Sequence, residues 1–463
     1  MMKRRLAAVF LSQLLVSGLL SAGGPLRVTG PAALQAGQSF VWSTLSPILY
    51  TVDSGPLSVN PSGQTVISNA QGLARVQNLF QNWQTVPTAA ISFSYAGPIT
   101  GVTGGDVKTI QDFNTLQGSC NAGTQNPIVF DSNGALLQAL GLDPLVIGFA
   151  STCKLDAQAG HIVSALVLLN GKFQDGVSNS GSRNFEISAD QFDEAITHEL
   201  GHFSGLGHSQ INLDLFETGT PGSCDVDRLA GLPLMFPVEF CQSRKSSGLP
   251  ILSPDDAAWI SRLYPGPTFA ASYGTLSGFV FFSDGITAVQ GINVIARRVD
   301  DPATPVDESK SIAVSVVSGF NFTGNPGQSV TGDNTAGSSF GSRNPALIGY
   351  YEIPVPPGTY TIQVENVNAA FSGGSSVGPL NPPVTTPGAF EYWHNFESAF
   401  DDRSQRDPVS VTAGQKISNL NFILNNTPPR FDQYEDGEVR LQIPRAPFLY
   451  REPLSPVITG AFS

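Results

Sequence analysis

The sequence predicts a multidomain chain: a mixed α/β (α+β) domain followed by an all-β antiparallel sandwich. Three observations carry that expectation. Up to about Pro265, stretches with helical spacing of apolar residues alternate with stretches that read as strands. Beyond PGPTF (Pro265 to Phe269) no helix is evident as far as Asn425, and strand-like runs are separated by turn residues. Only 13% of residues are charged while Gly and Pro number 48 and 34, a balance that favours turns and strands over helical bundles. The length of 463 residues exceeds one compact domain, and 41% hydrophobic content is enough for real cores.

The opening MMKRRLAAVFLSQLLVSGLLSAGG places Lys3, Arg4 and Arg5 before an apolar stretch to Leu20, then small residues at Ser21, Ala22 and Gly23. That is the layout of a secretory signal peptide over residues 1–23, so a secreted protein without a transmembrane anchor is expected. The formal charge of −13, without a basic run, argues against nucleic acid as a partner. None of Cys120, Cys153, Cys224 and Cys241 forms a C-x-x-C pair. Four cysteines in an exported chain suggest two disulfides. Their order favours Cys120–Cys153 and Cys224–Cys241, with the other two connectivities open.

Residues 24–46 form a weakly patterned lead-in, and the α/β domain is expected over 47–267. Here ILYTVDSG reads as a strand and turn. GLARVQNLFQNWQTV carries Leu73, Val76, Leu79, Phe80 and Trp83 at helical spacing. AISFSYAG, NPIVFDSNG, VIGFAS and HIVSALVLLNG read as strands. A helix is expected from Ser188, where SADQ supplies a capping box, and a last one in SPDDAAWISRLY, with Ser253 as cap and two acids in its first turn. The sandwich is expected over 268–426, in LSGFVFFSDG, INVIARRV, YYEIPVPPGTYTIQVENV and ISNLNFIL, with a long loop at 325–345. Residues 427–463 are a Pro-rich tail.

Chemistry concentrates in THELGHFSGLGHS (Thr197 to Ser209), which holds three of the five histidines. His198 and His202 are four apart, so on a helix they project from one face and can share a zinc ion. Glu199 rotates off that face, its carboxylate free to reach a metal-bound water as general base. Gly205 permits a left-handed turn that brings His208 back as third ligand. A fourth position is left for water, which marks a catalytic site. One catalytic zinc ion is therefore the expected cofactor, with Glu199 catalytic and peptide bonds the target.

The extended pattern H-E-x-x-H-x-x-G-x-x-H is similar to that of the metzincin metallopeptidases. The family's methionine turn is matched by LPLMFP, which assigns Met235 as the support beneath the metal. Ser209 after the third histidine, the Leu234-Met235-Phe236-Pro237 run, the helix LSPDDAAWISRLY and the upstream FQNWQTVPTAAISF make the matrixin branch the nearest resemblance. The resemblance implies a secreted zinc endopeptidase acting on protein or peptide substrates. It also implies that VIGFAS is the sheet edge beside the cleft, where a peptide adds as a strand. Three departures point to a bacterial type. No cysteine precedes Cys120, so latency through a propeptide cysteine is not expected. Only His161 precedes the motif, so a second, structural zinc is not expected, and His161 is read as a loop or strand-end residue. The segment from Gln210 to Leu232 is long, and Cys224 and Cys241 bracket the methionine turn, which suggests a disulfide stapling the insertion near the specificity pocket.

The second half resembles the carboxypeptidase regulatory-like, transthyretin-like sandwich, through SGFVFFSDG, INVIARR, YEIPVPPGTYTIQV and VSVTAGQKISNLNFIL. Gly358 is expected to turn one strand into the next, with Tyr360 and Ile362 inward. His394, beside Tyr392 and Trp393, is read as part of a packed aromatic corner. This domain is where a surface or matrix ligand would bind. The competing reading is an adhesion protein whose metal domain is inactive; an intact Glu199 and all three histidines favour the peptidase.

Overall fold

The computed structural model describes residues 23–441 except 31–32, 178–185, 210, 212–228, 238–241, 290, 300–311, 323–341, 343, 367–390, 429–430 and 434–438. Residues 1–22, where all but the last residue of the expected signal peptide falls, Cys224, Cys241, most of the 325–345 loop and most of the 427–463 tail lie outside the described residues.

The chain forms β1 (Val41–Trp42), β2 (Ile48–Val52), a ribbon of β3 (Ser58–Val59) and β4 (Thr65–Ile67), then α1 (Asn69–Gln84) and β5 (Phe93–Pro98). It continues with α2 (Ile110–Ala122), β6 (Pro127–Asp131), α3 (Ala135–Ala139), β7 (Gly148–Asp156), β8 (His161–Asn170), α4 (Ala189–Phe203) and α5 (Pro254–Leu263). Six strands make one sheet in the order β1-β8-β6-β2-β5, parallel throughout, with β7 added antiparallel to β8. Helices cover both faces, which is why β6 reads as an unbroken apolar run. Val129, Leu166 and Leu168 meet Phe113 and Leu116 of α2 on one face. Ile128, Phe130, Val167 and Leu169 join Phe80 of α1 and Phe192 of α4 in the cluster on the other.

The 24–46 segment is built into this domain. Trp42 and Phe40 enter the core, β1 pairs with β8, and Leu26 donates its backbone N–H to Gly205. Helix α2 has no counterpart among the sequence expectations. Only Phe113, Leu116 and Cys120 are buried along it, so its apolar signal is thin, although Thr109 and Asp112 form a capping box. The strand expected at VIGFAS starts later, at Gly148, and runs on to Asp156. The expected Cys120–Cys153 disulfide is present and ties α2 to β7. Replacing both cysteines with serine is expected to cost about 2–4 kcal/mol, read from the midpoint of denaturant unfolding.

Among its described residues the second half holds one α-helical turn, α6 (Phe269–Ser272), where no helix was expected before Asn425, and a 3-10 turn at Pro345–Leu347. Its strands are β9 (Gly274–Phe281), β10 (Ile292–Arg298), β11 (Ala313–Val317), β12 (Tyr350–Val355), β13 (Gly358–Asn366), β14 (Glu391–Tyr392), β15 (Val409–Val411), β16 (Lys416–Ile417) and β17 (Phe422–Ile423). One sheet runs β11-β10-β13-β14 with β15 also on β13; the other runs β12-β9-β16 with β17 also on β9. Gly358 opens β13, and Tyr360 and Ile362 both point inward and are fully buried. Pairing is antiparallel except for β16 and β17, which run parallel to β9. The chain reaches them by returning from β15 in the other sheet, and such a crossover permits parallel pairing that a hairpin forbids.

The two halves share one apolar core. Trp259 of α5 packs edge-on against Phe320 at 6.0 Å and donates its indole N–H to Ser315 O at 2.7 Å. Asp255 accepts from Ser315 N at 2.8 Å, and Ile211 is enclosed with Ile295 and Ala313. Among the described residues no helix is long and apolar enough to cross a membrane.

Candidate metal centre

Helix α4 forms where Ser188 and Gln191 close the expected capping box, and Phe192, Ala195, Ile196, Leu200 and Phe203 supply its buried side. Aromatic donors anchor its length. Trp83 Nε1 donates to Thr197 O (2.9 Å), Trp42 Nε1 to Phe203 O (2.7 Å) and Tyr264 Oη to Ser204 O (2.6 Å). The last two satisfy carbonyls that a helix end otherwise leaves unpaired. Gly205 then takes φ +89°, a left-handed geometry that a β-carbon resists, and the chain doubles back to His208.

This fold brings His198, His202 and His208 together. Their Nε2 atoms form a near-equilateral triangle with sides of 3.0, 3.1 and 3.1 Å, and all three rings are buried. Four-coordinate zinc with imidazole bonds of 2.0–2.1 Å separates its nitrogens by roughly 3.3 Å, close to that spacing. Backbone carbonyls set the tautomers. His198 Nδ1 lies 2.8 Å from Leu234 O and His202 Nδ1 2.8 Å from Leu206 O, so each Nδ1 carries the proton and each Nε2 presents a lone pair. Lone pairs converging at 3 Å repel unless a cation lies among them. The group can thus hold a metal ion.

Burial, with some contribution from neighbouring imidazoles, pushes His198 and His208 well below the ordinary 6.5, and burial lowers His202 to about 4. The rings are therefore neutral, as ligands must be. In the metal-free protein the unfolded chain takes up protons near pH 6.5 that the folded chain refuses. The histidines' contribution to its stability is expected to fall as pH drops from 6.5 toward 4, checked by urea midpoints of the metal-free protein against a His202→Gln variant across that range.

Glu199 is completely buried, neither carboxylate oxygen has a hydrogen-bond partner, and burial raises it well above the ordinary 4.5. It does not belong to the ligating group. Its room comes from Gly148 at the start of β7, where a β-carbon would sit 2.6 Å from Glu199 Cγ. β7 pairs only with β8 among the described residues and so forms the sheet edge beside the centre. His161 begins β8 with Nδ1 3.2 Å from Val41 O, away from the three ligands.

Met235 lies under the motif helix, where a β-carbon on Gly201 would fall 2.5 Å from its sulfur and 2.7 Å from Trp83. Asp256 holds this turn, accepting from Leu234 N (2.9 Å), Met235 N (3.0 Å) and Ser253 N (2.7 Å). The sequence shows Asp256 as a first-turn acid; its grip on the methionine turn appears only in three dimensions. Gly201→Ala is expected to cost about 1–3 kcal/mol, because Trp83 is pinned by Thr197, and denaturant midpoints would read it. Ser209 N donates to Met235 O (2.8 Å), and Ser209 Oγ lies 3.4 Å from Ser315 Oγ of the sandwich. The third ligand thus sits between the methionine turn and β11, which no local pattern signals.

Comparisons with family models, with curated proteins and with solved structures return no match for this chain.

Proposed function

We propose that the chain is a secreted zinc endopeptidase, matrixin-like within the metzincins, with the sandwich packed against its catalytic half. One observation carries the reading: three buried, neutral Nε2 atoms converge on one point, and Glu199, the residue after His198, holds a buried, unpartnered carboxylate. His198, His202 and His208 would hold the ion, which when bound supplies Lewis acidity toward water and a peptide carbonyl. Glu199 holds the proton taken from the attacking water at a carboxylate oxygen and hands it to the leaving amine. Its buried, raised-pKa setting suits a group that must accept and return a proton. The β7 edge offers main-chain groups to an extended peptide, so substrate binding by strand addition accounts for an endopeptidase. Signal residues 1–23 carry the export part of the proposal.

The test is cleavage of casein or gelatin by the full chain, with and without a chelator, followed by restoration with zinc. Chelator-sensitive cleavage rescued by zinc is expected. Cleavage indifferent to the chelator, or metal analysis far from one zinc per chain, would remove the proposal.

A further inference from the structure

A second convergence of buried polar groups lies in the sandwich, between β14 and β17. The ligating atoms of His394, Glu397 and Asp401 lie within 4.8 Å of one another. Backbone donors shape the turn: Glu397 accepts from His394 N (3.1 Å) and Ile423 N (2.9 Å), and Asp401 Oδ2 accepts from Ser398 N (2.7 Å). Asn425 joins the network. Its Nδ2 donates to Asp401 Oδ1 (2.7 Å), and its backbone N–H donates to Glu391 Oε2 (3.1 Å).

Two oxygens in this network have no hydrogen-bond partner, Glu391 Oε1 and Asn425 Oδ1, on residues only 4% and 2% exposed. An unsatisfied buried acceptor costs about 1–3 kcal/mol, and two of them share a network with three carboxylates. Burial, reinforced by neighbouring carboxylates, pushes Glu391 up to about 7 and Glu397 up to about 8, although Arg403 offsets part of the charge on Glu391. The position of His394 narrows the chemistry. Phe396 N donates to His394 Nδ1 at 3.1 Å, so the ring proton sits on Nε2, 3.1 Å from Asp401 Oδ2. Nε2 makes no hydrogen bond there, so the imidazole presents an N–H rather than a lone pair, and the groups left to bind an ion are oxygens. The aromatic-corner expectation for His394 gives way to this: its neighbours are acids, while Phe396 is 79% exposed.

We propose that Glu397 and Asp401, with the orphaned oxygens of Glu391 and Asn425 in the same hydrogen-bond network, form a site for a hard divalent cation, calcium by its all-oxygen donor set, separate from the three-histidine centre. The ion neutralises the carboxylates, satisfies the orphaned oxygens and pins the 391–401 turn to the chain around Asn425. The inference does not depend on the peptidase reading.

The experiment uses full-length protein stripped with chelator, given one equivalent of zinc, then titrated with calcium chloride by calorimetry and thermal unfolding. One calcium per chain and a raised Tm are expected. Asp401→Asn and Glu391→Gln should each weaken calcium binding by about tenfold or more, with near-UV circular dichroism unchanged to show the fold is kept. No heat and no Tm shift up to about 10 mM calcium overturns the site, since extracellular calcium modules bind within that range. Calcium binding undiminished in both variants overturns it too. A second equivalent of zinc that binds while calcium does not overturns the oxygen-donor assignment.

Discussion

Glu199→Gln is expected to lower kcat for peptide hydrolysis by about 10²–10⁴-fold while the zinc content stays near one per chain. The size follows from the proposed role: an amide cannot take the proton of the attacking water. The retention of metal follows from geometry, because Glu199 lies outside the ligating group and neither of its oxygens anchors another residue. An amide is also easier to bury than a carboxyl whose charged form is disfavoured by complete burial, so stability should hold or rise. Measuring kcat and bound zinc on the same preparation separates the alternatives. Joint loss of zinc and activity would assign Glu199 to holding the centre together. Unchanged activity would end its role as base.

A chain cut after residue 267 is expected to lose cooperative unfolding and to bind zinc poorly, although every residue of the histidine motif remains. Trp259 would lose Phe320 and its bond to Ser315, Asp255 would lose Ser315 N, and Ile211 would lose Ile295 and Ala313. Exposing one large apolar side chain costs about 1.5–3 kcal/mol, and a domain has only about 5–15 kcal/mol to lose. The effect reaches the metal because His208 leads directly into Ser209 and Ile211, both set against the sandwich. Near-UV circular dichroism and zinc stoichiometry of the cut and full chains provide the check. A cut chain that melts cooperatively and binds zinc like the full chain would make the sandwich a detachable module. Trp259→Phe, which keeps one aromatic ring but removes the indole N–H and part of the buried volume, should cost about 1–3 kcal/mol.

Elements with strong local signals could be read directly. Ser188 with Gln191 and Ser253 with Asp256 are capping boxes written in four consecutive residues, and both helices start there. The motif histidines are encoded by helical period and one glycine, so their meeting was readable as well. Helix α2 was not, because three buried side chains in a polar segment leave little periodicity. Neither were the parallel pairings of β16 and β17, which depend on the path between two sheets. His394 was misjudged for a related reason: its flanking Tyr392 and Trp393 are visible in sequence, whereas Asp401 comes beside its ring only through folding.

The sequence by itself therefore determined which three histidines meet and the order of two unlike halves, since each rests on spacings within a few turns of chain. Tertiary structure decided what supports them. Gly148 makes room for Glu199, Asp256 holds the methionine turn, and Ser315 with Ile295 braces the segment after His208. Those partners come from strands and helices far apart along the chain, and contacts between such elements leave no period in the sequence to read.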